Sequence, residues 1–105
     1  MRAAALLLAT AAALALTACG DESSSDFQSC ADVGFTPQSD DIAVHIRARN
    51  IACADARAFV RDSEGRPGDT FRGFTCTRRV IAADELPHTN WRCADGERVI
   101  RWQRY

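Results

Sequence analysis

Between Ile42 and Arg49 the chain alternates, with Ile42, Val44, Ile46 and Ala48 set against Ala43, His45, Arg47 and Arg49. A period of two marks a strand with one buried face, and it assigns the first set to the core. After Asn50 the period lengthens. Cys53, Ala56, Phe59 and Val60 fall on one side at helical spacing, which predicts a helix running to about Ser63 with Gly65 placed to end it. Ala52 offers no side-chain oxygen for the cap, but Asp55 in the first turn suits the positive end of the helix dipole. The Gly- and Pro-rich stretch from Gly65 to Gly73 reads as a loop, Phe74 to Val80 as a strand, and Asp84 to Thr89, which contains Pro87, as a connection.

The last segment carries a hairpin signal at Asp95-Gly96. Folding there sets Cys93 across from Arg98 and Trp91 across from Ile100, so one sheet face carries Trp91, Cys93, Ile100 and Trp102. Laying the helix on that face predicts a core of Phe59, Val60, Trp91, Ile100 and Trp102. The expected class is α+β, a small antiparallel sheet packed by one helix.

Ahead of this pattern lies a segment of another kind. Met1-Arg2 gives a short positive start, Ala3 to Leu16 is an almost unbroken Ala/Leu run, and Leu16-Thr17-Ala18-Cys19 follows. The run has the length of a secretory h-region and is too short to span a bilayer comfortably. An aliphatic residue, two small ones and Cys at its end form a lipobox, in which the thiol receives a diacylglyceryl group before cleavage. Residues 1–18 are thus expected to be a lipoprotein signal peptide, and residues 19–29 a lipidated Cys19 followed by an acidic flexible tether. Residues 30–105 are expected to form the small disulfide-bonded domain. Two or more acyl chains on Cys19 would hold it stably at the extracytoplasmic face of the cell membrane. The run GDESSSDFQS from Gly20 to Ser29 has too little apolar surface to order itself and would span roughly 17 Å on average.

Composition narrows the partners. The 105 residues leave room for one domain. Every one of the 13 basic residues is Arg, and 14 acids give a net charge of -1, which provides no field to argue for nucleic acid. With Cys19 taken by lipid, Cys30, Cys53, Cys76 and Cys93 remain, a number that fits two disulfides in an oxidising compartment. No C-x-x-C pair is present, and no metal site is expected. Sequence admits three connectivities. Cys76 and Cys93 lie on strands that would neighbour each other in a meander, so the expected pairs are Cys76–Cys93 and Cys30–Cys53. Closing the span between Cys76 and Cys93 is worth roughly 3 kcal/mol on the chain-entropy account.

The runs FTPQSDD (Phe35 to Asp41), IRARNIACADAR (Ile46 to Arg57), GFTC (Gly73 to Cys76), LPHTNWRC (Leu86 to Cys93) and the ending GERVIRW resemble a recurrent group of short secreted actinobacterial domains and lipoproteins with four cysteines. The resemblance covers most of the chain from about Cys30. It implies a compact α+β fold with a Cys at the helix start, one after Gly-Phe and one before the final hairpin. It supplies no catalytic residue, and the chain departs from it at Ala52, where a Ser commonly caps the helix.

Candidate chemistry is sparse. His45 falls on the outward side of its strand and His88 in a loop beside Pro87, neither with a visible nucleophile or carboxylate partner. Asp40-Asp41 and Asp84-Glu85 are adjacent in sequence, which in extended chain points the two carboxyls apart and argues against a shared proton. No serine lies in a G-x-S-x-G setting and no Gly-rich phosphate loop occurs. No catalytic residue and no cofactor are therefore expected. The function expected is that of a non-enzymatic binding or interaction module for an unidentified envelope protein or ligand. The alternative is an inhibitor of an extracytoplasmic hydrolase that would present the Gly65 to Gly73 loop. The candidate contact strip is Arg101, Gln103 and Tyr105, which alternate with the core residues of the final strand.

Overall fold

The computed structural model describes residues 26–82 and 86–105. The signal segment, Cys19, most of the tether and the Asp84-Glu85 pair lie outside the described residues. Within them the order is β1 (Gln28–Cys30), β2 (Val33–Gly34), β3 (Ile42–Arg49), α1 (Cys53–Asp62), β4 (Thr70–Phe71), β5 (Phe74–Ile81), β6 (His88–Asp95) and β7 (Arg98–Arg104). The strands make one antiparallel seven-stranded sheet in the order β1-β3-β7-β6-β5-β4, with β2 also paired to β3. Helix α1 packs on one face against β1, β2 and β3. The fold is α+β, with two disulfides.

The helix starts at Cys53 without a side-chain cap, as Ala52 dictates, and its first backbone bond runs from Ala56 N to Ala52 O at 2.9 Å. Its other end is a Schellman motif. Gly65 N donates to Val60 O at 2.8 Å and Glu64 N to Arg61 O at 3.0 Å. The left-handed residue that closes the helix is Glu64 (φ 54) and not, as expected, glycine alone. Gly65 follows at φ 68, and a Cβ there would meet Phe35 Cζ at 2.9 Å and Arg104 Cδ at 3.0 Å. That position admits only glycine for two independent reasons, backbone and space.

All of the expected core residues are buried: Phe59, Val60, Trp91, Ile100 and Trp102. Phe59 is the pivot. Its ring meets Phe71, Phe74 and Trp102 edge-on at centroid distances of 5.1, 4.9 and 6.2 Å, the offset geometry aromatic quadrupoles prefer. Trp91 and Trp102 stack at 6.0 Å and 12° across the β6–β7 pairing. Trp102 Nε1 donates to Gly65 O at 3.2 Å, so the core tryptophan also fixes the turn after α1. The disulfides are Cys30–Cys53, which ties β1 to the helix start, and Cys76–Cys93, a directly opposed pair on β5 and β6. Both match the expected connectivity.

Four expectations are corrected. First, the hairpin loop is Gly96-Glu97, with Asp95 opposite Arg98, Cys93 opposite Ile100 and Trp91 opposite Trp102. Among these turn residues the positive φ belongs to Gly96 (62°), which suits a turn with glycine first. Moving the turn by one residue moves each partner by two, so the set of side chains on each face is unchanged. Second, β3 does not keep one alternation. A bulge lies between Val44 and Arg47, with His45 at φ 54. The bulge shifts parity, so the buried residues are Ala43, Ile46 and Ala48, while Ile42 and Val44 are only partly buried. Third, His88 and Thr89 belong to β6, and the Gly65 to Gly73 loop contains β4. Fourth, Phe27 is buried and Gln28 to Ser29 are paired to β3, so the fold takes in residues that composition assigns to the tether.

Candidate functional site

Since the helix covers one face of the sheet, the other face is open to partners. Register decides what stands on it. Arg47 of β3 lies opposite Arg101 of β7, Arg101 opposite Arg92 of β6, and Arg92 opposite Thr77 of β5. Three guanidiniums thus form one row across three adjacent strands. The neighbouring row is Val44, Gln103, Asn90 and Arg79, and beyond it Tyr105 and His88 meet with ring centroids 4.9 Å apart. On the other side of the arginine row stand Arg49, Val99, Ala94 and Thr75. None of these strand positions carries an acid. Among the described residues, these rows of the sheet carry arginines and no acid.

Phe27 covers one end of this face. Its ring takes the guanidiniums of Arg49 and Arg101 at 5.1 and 5.3 Å from the centroid, and Phe27 and Val99 are buried although they stand apart from the main core. Such ring contacts hold cations in place without neutralising them. Beside them lies an open trough of about 310 Å³, lined by His45, Arg47, Asn90, Arg101 and Gln103 among others. Asn90 Oδ1 is buried and has no hydrogen-bond partner. The trough is thus lined by two cations and two amides, and the oxygen of one of them, Asn90, is enclosed without a partner.

Of the expected strip, Arg101 and Gln103 line the trough and Tyr105 does not. Tyr105 Oη donates to Gln103 Oε1 at 3.4 Å, and its ring leans on His88, so it buttresses the strip from outside. A comparison with protein-family models, with curated proteins and with solved structures finds no match. What the site does has to be argued from its own chemistry.

Its most prominent groups are the guanidiniums of Arg47 and Arg101. His45 stands at the bulge of β3, and His88 Nδ1 lies 3.0 Å from Leu86 O on β6's side of the sheet, with β7 between the two strands. All four domain cysteines are in disulfides. Among the described residues no group of three or more His, Cys, Asp or Glu is placed to hold a metal ion, and no helix is long and apolar enough to cross a membrane. Arg47, Arg92, Asn90 and His45 complete the face; the alternation puts His45 and Arg47 outward, and nothing in the pattern marks Arg92 or Asn90 as part of a site. The signal that would have found Arg47 and Arg92 is the corrected register, because only with Asp95 opposite Arg98 does Arg92 fall beside Arg101.

Proposed function

We propose that the chain is a lipoprotein anchored through Cys19 at the extracytoplasmic face of the cell membrane, and that its domain is a non-enzymatic binding module for an acidic segment of an envelope protein. The observation that supports the binding role is the row Arg47, Arg101 and Arg92. Like charges placed directly opposite on a sheet are destabilising, so the Arg47–Arg101 pair is costly to the fold, and a partner of opposite charge would offset that cost. Arginine presents a planar fork that matches carboxylates. Support for the anchor comes from the order of the N-terminal sequence, an h-region followed by Leu16-Thr17-Ala18-Cys19.

Two measurements test this reading. Mass spectrometry of membrane-extracted protein should show acylation at Cys19, and Cys19→Ser should accumulate as unlipidated precursor. An unmodified mature chain beginning elsewhere would remove the anchor. Crosslinking capture from envelope extract should recover a partner that is lost on raising salt and lost in Arg47→Ala/Arg101→Ala. Equal capture by the folded double variant would remove the arginine face. The inhibitor reading draws on one observation, the fixing of the 65–69 loop by Trp102 Nε1 at Gly65 O and by Cys76 N at Asp69 O (2.8 Å). Capture of a hydrolase whose activity falls on binding would move that reading ahead.

A further inference from the structure

The helix-bearing side of the sheet carries a second cationic site, away from the arginine row. A cavity of about 250 Å³ is lined by Arg66 and Gly68 of the loop after α1, Arg78 of β5, Thr89 and Trp91 of β6, and Arg104 of β7. No acid lines it.

The two stacked tryptophans differ in one respect. They are chemically identical and adjacent, yet Trp102 Nε1 has its acceptor in Gly65 O at 3.2 Å, whereas Trp91 Nε1 is buried with none. Trp91 is 6 % exposed. A buried donor without an acceptor is costly and calls for an explanation. Trp91 lines the cavity, and the other polar groups along that wall are donors and cations. Arg78 sits with its guanidinium 5.8 Å from the Trp91 ring centroid, and the Arg66 guanidinium has no ion-pair partner among the described residues. Arg104 is the fixed member. Its Nε donates to Glu64 O at 2.8 Å, its Nη1 meets Asp41 at 3.0 Å, and its side chain is only 10 % exposed.

We infer that this cavity is a binding site for a phosphate group, free or as a small ester. The ligand's oxygens accept from the Thr89 hydroxyl and from the guanidiniums of Arg66 and Arg78, and a small rotation of the Trp91 ring, whose Nε1 is enclosed without the ligand, gives that donor its acceptor as well. A tetrahedral dianion has enough lone pairs to use donors arriving from a strand, a neighbouring strand and a loop at once, and arginine pairs with it through more than one N–H. The volume exceeds what a bare phosphate fills, which leaves room for a small ester substituent. The inference does not depend on the anchor or on the arginine row of the other face.

The indole N–H resonances give the test, with Trp102 as an internal control. The full chain, labelled with ¹⁵N and held in non-ionic detergent, is titrated with inorganic phosphate and with glycerol phosphate at constant ionic strength set by chloride. The Trp91 indole cross-peak should shift saturably while that of Trp102, already bonded to Gly65 O, stays in place. Arg66→Gln and Arg78→Gln should each weaken the apparent affinity by about tenfold or more. Their folding is verified by an unchanged Trp102 cross-peak. Absence of a saturable Trp91 shift at tens of millimolar phosphate would overturn the site, as would equal affinity in the folded Arg66→Gln/Arg78→Gln double variant. An equal response to acetate would overturn the assignment to phosphate.

Discussion

Arg47 and Arg101 face each other directly across the β3–β7 pairing, and both point away from the helix. Their register follows from the bulge at His45: the bulge sets Val44 opposite Gln103 and Arg47 opposite Arg101, and leaves His45 and Ile46 to share Trp102. The same irregularity that turns Ile46 into the core therefore aligns the guanidiniums. Core packing and surface chemistry are coupled through one residue of backbone.

That residue is testable. His45 holds φ 54 in the middle of a strand, where β-branched residues are strongly disfavoured. His45→Val, a change that raises strand propensity, should destabilise the fold by about 1–2 kcal/mol relative to His45→Gly. Denaturant unfolding of the two variants decides it. Equal stability would mean that the bulge is not required.

Glu64 offers the opposite case. It occupies the left-handed position that closes α1, its side chain is exposed, and what it supplies to Arg104 is its backbone oxygen. Glu64→Gly keeps that oxygen and should stabilise the protein by about 0.5–1 kcal/mol. Thermal melts of wild type and variant measure the gain. A loss would show that the Glu64 side chain contributes more than its backbone costs.

Trp102 joins the sheet to the turn after the helix, so it should be the most sensitive position of the core. Trp102→Ala is expected to cost about 3–5 kcal/mol. Trp102→Phe retains much of the apolar contact but leaves Gly65 O without its donor, at a cost of about 1–3 kcal/mol. If Trp102→Phe unfolded at the same denaturant concentration as wild type, the bond to Gly65 would be dispensable.

The Cys76–Cys93 bridge closes a separation of 17 residues. Cys76→Ala/Cys93→Ala should lose roughly 3 kcal/mol. Non-reduced peptide mapping of wild type should recover the 30–53 and 76–93 pairs, and a Cys53–Cys93 peptide would contradict the connectivity.

How far these features were legible in the sequence depends on what each one rests on. The helix, the core aromatics and both disulfides follow from periodicity and from neighbouring strands, and periodicity survives a hairpin shifted by a single turn residue. Trp91, Cys93, Ile100 and Trp102 therefore stay on one face whichever turn is chosen. The bulge at His45 does not follow, because a histidine in the left-handed region leaves no composition signal as glycine would, and the alternation of Ile42 and Val44 points the wrong way. The arginine row was half visible. Alternation alone puts Arg47, Arg92, Arg101 and Gln103 on the outward face, but the arginines line up only when the bulge and the turn are both placed. The cavity beside Trp91 assembles residues from a loop and three strands, and nothing in their spacing announces it.

The central claim is that the arginine row serves a partner at some expense to the fold, and Arg47→Thr tests it most directly. Arg47 stands between Ser29 and Arg101, and a threonine there is a better strand residue that relieves a like-charge contact. The measurement is unfolding free energy and salt-dependent envelope capture on the same preparation. The account predicts stability unchanged or raised by up to about 0.5 kcal/mol, together with capture reduced severalfold. A variant that is less stable than wild type and captures the same partner at equal yield would contradict it.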